Sequence, residues 1–310
     1  MTESSQPQMR EAAAPAKTGA AAQPPGHLFC FGLGYSARRL ADRLLSAGWR
    51  VSGTCRSPEK RQALARAGIA AEIFDREHPV PDLARHLAAA THLLSSVPPD
   101  GAGDPVIDLH RAEIDAAAPH LAWIGYLSTT GVYGDRGGAW VDEQSDLSPS
   151  GERGRRRLLA ERAWAALAQP AHLFRLAGIY GPGSSALDTV REGRARRVVK
   201  PGQVFSRIHV DDIVNVLTAS MARPNPGAAY NVCDDDPAPP ADVITFACTL
   251  LGVAPPPEVP YESADLSPMA RSFYDDNKRC RNDRIKHELG VTLAYPDYRT
   301  GLRALLGAGY

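Results

Sequence analysis

The chain offers little to a metal ion or a disulfide. Its 310 residues include 5 cysteines. Cys30, Cys55, Cys233, Cys248 and Cys280 are odd in number, widely scattered and without the close pairing that a zinc site or a redox dithiol needs. They read as reduced thiols of a cytoplasmic protein. The 9 histidines show no HExxH or comparable spacing, so no metal site is expected. Net charge is absent too: 35 Lys and Arg face 35 Asp and Glu. No overall field draws nucleic acid or an anionic membrane, and no apolar run approaches the roughly 20 residues of a membrane span. The expected partner is a small-molecule substrate, with no nucleic acid and no membrane, for a monomer or homodimer. Met1 to Gly26, rich in Ala, Pro, Gln and Ser, lacks the apolar core of a secretory signal, and Glu3 and Glu11 argue against a transit peptide. This stretch, 1–26, is expected to be a disordered tail.

What is present is alternation. From His27 onward, short β-rich apolar runs take turns with amphipathic helical stretches, the pattern of a parallel sheet covered on both faces. Strands are expected at LFCFG from Leu28, WRVSGTC from Trp49, AAEIF from Ala70, HLLSSV from His92, LAWIGYLS from Leu121 and AHLFRL from Ala171. The helix SARRLADRLLSAG carries an apolar stripe of Leu40, Leu44 and Leu45. The predicted class is α/β, a Rossmann-type doubly wound parallel sheet over residues 27–180, with 181–310 mainly a smaller substrate lobe whose elements return in part to the Rossmann core. In the looser second half, helices are expected near Asp212 to Met221, Pro240 to Leu251 and Asn282 to Leu289, with a strand at AAYNVC.

The first strand runs into Gly32-Leu33-Gly34-Tyr35-Ser36-Ala37 and then a helix, the GxGxxG/A dinucleotide pattern in its proper context. Gly32 permits the tight turn, Gly34 lets the backbone approach a pyrophosphate, and Ala37 still allows helix and strand to pack closely. The helix N-terminus supplies N–H donors to the anion. The second strand ends in GTCRSPEK, with no acid to hold a free ribose 2′-hydroxyl. Arg56 can instead clamp a 2′-phosphate, Ser57 can add a hydroxyl and Lys60 a charge. NADP(H) is therefore the preferred cofactor, with NAD(H) as the alternative, and a solvated basic loop as the plainer reading.

Five further stretches follow in order: LSTTGVYGD (127–135), FRLAGIYGPG (174–183), RIHVDDIVNVL (207–217), YNVCDDDPAPPADV (230–243) and a terminal LG with YPDYRTGL. With the glycine turn, they make the chain resemble the extended short-chain dehydrogenase/reductase superfamily, the NAD-dependent epimerase/dehydratase family, from Leu28 to Leu306. RSFYDDNKRCRNDRIKHELG and the Pro98-Pro99 pair resemble the YeeZ-like proteins within it. The resemblance implies a crevice at the carboxyl ends of the strands, with Ser96, Val97, Pro98, Ala177 and Ile179 beside the cofactor. It also implies a contact from Asp75 to the adenine, although Asp75 could equally cap a loop.

Members of that superfamily pair a catalytic Tyr with a Lys four residues on, aided by a Ser or Thr hydroxyl. Aligned on the following LLAE, GERGRRRLLAE places Arg153 at the tyrosine position and Arg157 at the lysine position, and leaves Thr129 at the hydroxyl. A guanidinium stays protonated and cannot shuttle a proton; loss of a positioned general acid costs about 10² to 10⁴ in rate. Tyr133 and Glu152 are the candidate substitutes, Tyr133 being also a natural packing residue. Arg153 and Arg157 could bind an anion or simply face water, and Arg207 is the better-placed ligand for an anionic substrate. Asp211 or Asp212 is the expected N-cap of its helix. Two functions remain open: an oxidoreductase or epimerase acting on a small polar, sugar-like or phosphorylated substrate, and a non-catalytic NADP(H)-binding sensor or scaffold.

Overall fold

The computed structural model describes residues 25–310, so the expected disordered tail lies outside the described residues except for Pro25 and Gly26. Strand β1 (His27–Phe31) is buried on both faces: Leu28 and Cys30 enter one core cluster, Phe29 and Phe31 the other. This two-residue alternation within a continuous apolar run is what a central parallel strand requires. The other strands of the sheet are β2 (Arg50–Cys55), β3 (Ala70–Ile73), β4 (His92–Ser95), β5 (Trp123–Thr129), β6 (His172–Leu176) and β7 (Ala229–Val232). They lie in the order β7-β6-β5-β4-β1-β2-β3, every pair parallel. Strand order reverses between β1 and β4, and ligands bind α/β sheets at such a switch point, outside the carboxyl ends of the strands.

Helices cover both faces. Leu40, Ala41 and Leu44 of α1 (Tyr35–Ser46) share the first cluster with Leu64 of α2 (Pro58–Arg66). Leu83 and Leu87 of α3 (Leu83–Ala88), Val106 and Ile114 of α4 (Pro105–Ala117), and Trp164 of α5 (Glu152–Ala165) fill the second. After β6 come α6 (Ala186–Arg191), α7 (Val210–Ala222), α8 (Pro240–Leu251), α9 (Pro268–Tyr274), α10 (Asp283–His287) and α11 (Tyr298–Gly307). Leu187, Val243, Ala247 and Leu302, from α6, α8 and α11, build a small separate core beside Tyr180 and Tyr298.

The second half departs from sequence expectation in three places. The AAYNVC strand belongs to the main sheet: β7 pairs with β6, Tyr230 opposite Phe174, their rings stacked at 5.9 Å. Helix α11 was not expected; it begins at the N-cap Asp297, whose carboxylate accepts from the Thr300 N–H. The N-cap of α7 is His209, whose Nδ1 accepts from the Asp211 N–H, and not Asp211 or Asp212. Asp212 is fully buried and accepts the N–H groups of Ala294 and Tyr295, tying the chain end to α7. Among the described residues, no helix is long and apolar enough to cross a membrane, and all five cysteines are buried and free.

Candidate functional site

The turn after β1 is held rigidly. Gly32 has φ of +80°, a left-handed conformation that only glycine adopts without strain. Its N–H donates to Thr54 Oγ1 at 2.8 Å, and its carbonyl accepts from the Ser96 hydroxyl, so β2 and the residue that follows β4 both grip the turn. Gly34 is the N-cap of α1, and a Cβ placed on it would meet nothing within 4 Å. The N–H groups at the start of α1 therefore look onto open space, and no acidic side chain occupies the first turn.

That space opens onto a cleft of about 1490 Å³. Of the expected cofactor residues, Gly34, Tyr35, Ser36, Ala37, Ser96 and Pro98 line it, with Ala177 and Ile179 opposite. Thr129, Arg153, Arg157 and Arg207 line it as well. Tyr35 reaches across, its hydroxyl donating to the Pro182 carbonyl at 3.0 Å. Val97 lies outside the lining and packs against the second core cluster.

The arginines at the presumed dyad positions are already engaged. Gly154 brings α5 so close to the turn after β5 that a Cβ there would stand 2.6 Å from the Gly131 carbonyl oxygen. Arg157 then donates through Nη1 to the Leu127 carbonyl and to Tyr126 Oη. Arg153 lies with its guanidinium carbon 5.4 Å from the centre of the Phe273 ring of α9, across the cleft. Arg155 and Arg156 both bind Glu152, and those hydrogen bonds hold its carboxyl below the ordinary value. Glu152 is thus a paired carboxylate and a poor proton donor.

Tyr133 is corrected from candidate acid to core residue. It is fully buried and absent from the cleft lining. Its hydroxyl donates to Asn231 Oδ1 at 2.7 Å and accepts from Arg175 Nη1 at 2.9 Å. Asp75 takes the loop-capping role that was one of its two readings: its Oδ1 accepts the N–H groups of Glu77 and His78 and meets His78 Nδ1, closing its own turn. Ser57 is the N-cap of α2, accepting from the Lys60 N–H. Arg56 is exposed just beyond β2. Arg207 spends Nη1 on the carbonyls of Phe205 and Ala238, which limits but does not close its reach into the cleft.

Sequence reasoning missed the wall formed by residues 270–280, which carry no periodic signal. It missed Asp234 as well, which follows β7, is 1% exposed and sits near Arg207. Burial pushes its carboxyl up to about 8, with Arg207 pulling the other way. The folded protein therefore keeps a proton that the unfolded chain has lost above about pH 4, so stability falls as pH rises toward 8. Asp234→Asn is expected to flatten this decline, read as the difference between urea midpoints at pH 5 and pH 8. An unchanged difference would remove Asp234 as its source.

No family model matches the chain. A functionally unknown conserved protein from Silicibacter pomeroyi DSS is 54% identical, with a TM-score of 0.85 over 91% of this chain and 99% of that one. A Methylobacillus flagellatus structure assigned to the NAD-dependent epimerases/dehydratases is 26% identical, with a TM-score of 0.69 over 92% of this chain and 99% of that one. Protein YeeZ of Escherichia coli K12 is 29% identical over 283 residues, 86% of this chain and 95% of its own.

Proposed function

We propose that the chain, which is similar to a structure assigned to the NAD-dependent epimerases/dehydratases and to protein YeeZ, is a cytoplasmic oxidoreductase or epimerase of the extended short-chain dehydrogenase/reductase type that binds NADP(H) in preference to NAD(H). Its substrate is a small, polar, sugar-like or phosphorylated molecule. The observation that carries this reading is the open cradle at Gly34, where a side chain would meet nothing within 4 Å. The pyrophosphate would lie there on the N–H groups of Tyr35, Ser36 and Ala37, at the positive end of α1. When bound, the nicotinamide supplies a hydride donor or acceptor.

The preference for a 2′-phosphate rests on the end of β2. Arg56 is exposed there, and Lys60 borders a second opening of about 420 Å³ that continues past Gly34 to Arg38. Calorimetric titration with NADPH and NADH tests the assignment. Arg56→Asp is expected to weaken NADPH binding about 10- to 150-fold, the worth of one charge-assisted hydrogen bond, while sparing NADH. Equal affinity of the parent protein for both nucleotides would remove the 2′-phosphate reading; binding of neither would remove the cofactor.

A second reading, a sensor or scaffold that binds NADP(H) without turnover, is favoured by Arg157, whose Nη1 is spent on Leu127 and Tyr126. The two readings separate on whether NADPH is consumed when carbonyl compounds are supplied.

A further inference from the structure

The cleft contains one lysine among its described lining residues, Lys278, on the strand-like segment after α9. It is 9% exposed, whereas most lysines keep their ammonium in water. The backbone around it is bolted down from both sides. The Asn277 carbonyl accepts from the N–H groups of Arg136 and Gly138, and the Arg279 N–H donates to the Ala139 carbonyl, each at 2.9 Å. Asn277 also binds Asp135 and Val204 through its own N–H and Oδ1. Lys278 is therefore held at the cleft wall by the fold.

Its partner completes the arrangement. Lys278 Nζ donates to Asp276 Oδ2 at 3.1 Å, which leaves two of the three ammonium donors without a protein acceptor. Asp276 also lines the cleft, and its Oδ1 is buried without a hydrogen-bond partner. Spare ammonium donors on a lysine that is mostly withdrawn from water, at the wall of a ligand-sized cleft, are costly unless something fills them. Cys280, two residues on, lies beside Thr130 and Ser206. Lys278 and Thr129, at the carboxyl end of β5, line the same cleft.

We propose that Lys278, oriented by Asp276, is the substrate-oxygen contact of this cleft: its ammonium binds a carbonyl oxygen. It also puts a cation where negative charge collects on a carbonyl oxygen during reduction, a service that Arg153 and Arg157, turned to Phe273 and Leu127, do not provide. The inference rests on the oxidoreductase reading for its purpose but not for its test.

Pyridoxal 5′-phosphate, an aldehyde that also carries a phosphate for the cleft arginines, is the probe. Once its ammonium has given one proton to solvent, Lys278 Nζ condenses with the aldehyde, releasing water, and borohydride reduces the imine to a stable secondary amine. With one equivalent of probe on the full chain, peptide mapping is expected to find Lys278 labelled at least tenfold above Lys60, Lys200 and Lys286. Asp276→Asn should redistribute the label, and Lys278→Met should abolish it at that peptide while binding NADPH like the parent. Label spread over the other lysines with Lys278 untouched would overturn the proposal and mark the Lys278–Asp276 pair as a purely structural ion pair. Lys278 labelled in a protein that binds no nucleotide would sink the cofactor reading and leave this one standing.

Discussion

Glu161→Leu is expected to destabilise the protein by about 3–5 kcal/mol, the cost of stripping a buried charge of its partner. Glu161 is 2% and Arg175 4% exposed, and Arg175 Nη2 donates to Glu161 Oε2 at 2.9 Å. Oε1 also accepts from the Ser128 hydroxyl at 2.5 Å. Arg175 continues to Tyr133, and Tyr133 to Asn231. One network thus joins α5, β5, β6 and β7, the elements that carry Thr129, Arg153 and Arg157. Leucine leaves the Arg175 guanidinium buried and unpaired, and a guanidinium cannot shed its proton to escape. The paired replacement Glu161→Leu with Arg175→Leu is expected to recover much of the loss, since exchanging both ions for apolar groups removes two desolvation penalties together. Urea denaturation measures both. A single-variant loss below about 0.5 kcal/mol, the scale of an ordinary surface change, would mean that the ion pair contributes no more than an exposed one.

The second large effect is functional. Gly34→Glu is expected to weaken NADPH binding about a thousandfold or more while leaving the unfolding midpoint within about 0.5 kcal/mol of the parent. Gly34 has φ of −78° and ψ of −162°, a conformation open to any residue, and a Cβ there meets nothing within 4 Å. The fold therefore has no use for glycine at this position. A pyrophosphate has: a carboxylate at the mouth of α1 would fill the approach and set like charges together, which costs several kcal/mol, and each 1.4 kcal/mol is tenfold in affinity. Calorimetry with a parallel denaturation curve separates the two quantities. Retained NADPH binding in a folded Gly34→Glu protein would place the nucleotide elsewhere.

The contrast between these sites shows where the sequence was readable. Gly32, Gly34 and Ala37 stand within six residues, between a strand and a helix, and their meaning is local: a positive φ at Gly32, an open approach at Gly34, close packing at Ala37. All seven strands of the sheet could be placed for the same reason, since each is a short apolar run bounded by turn residues; only the neighbour of the last was not legible. Tyr133 misled because it occurs in a motif near the cleft while its side chain turns inward to Arg175 and Asn231, the latter 98 positions away. Asp75 closes its own turn, the local role that the sequence also allowed.

The sequence by itself determined the doubly wound sheet and its glycine turn, because strand alternation and turn chemistry act over a few residues. Only the tertiary structure decided that β7 closes the sheet beside β6, that Asp212 anchors the backbone of 294–295, and that Lys278 and Asp276 line the same cleft as Thr129. These pairings join segments tens of residues or more apart. They are selected by the free energy of burying and satisfying groups together, which leaves no period in either segment alone.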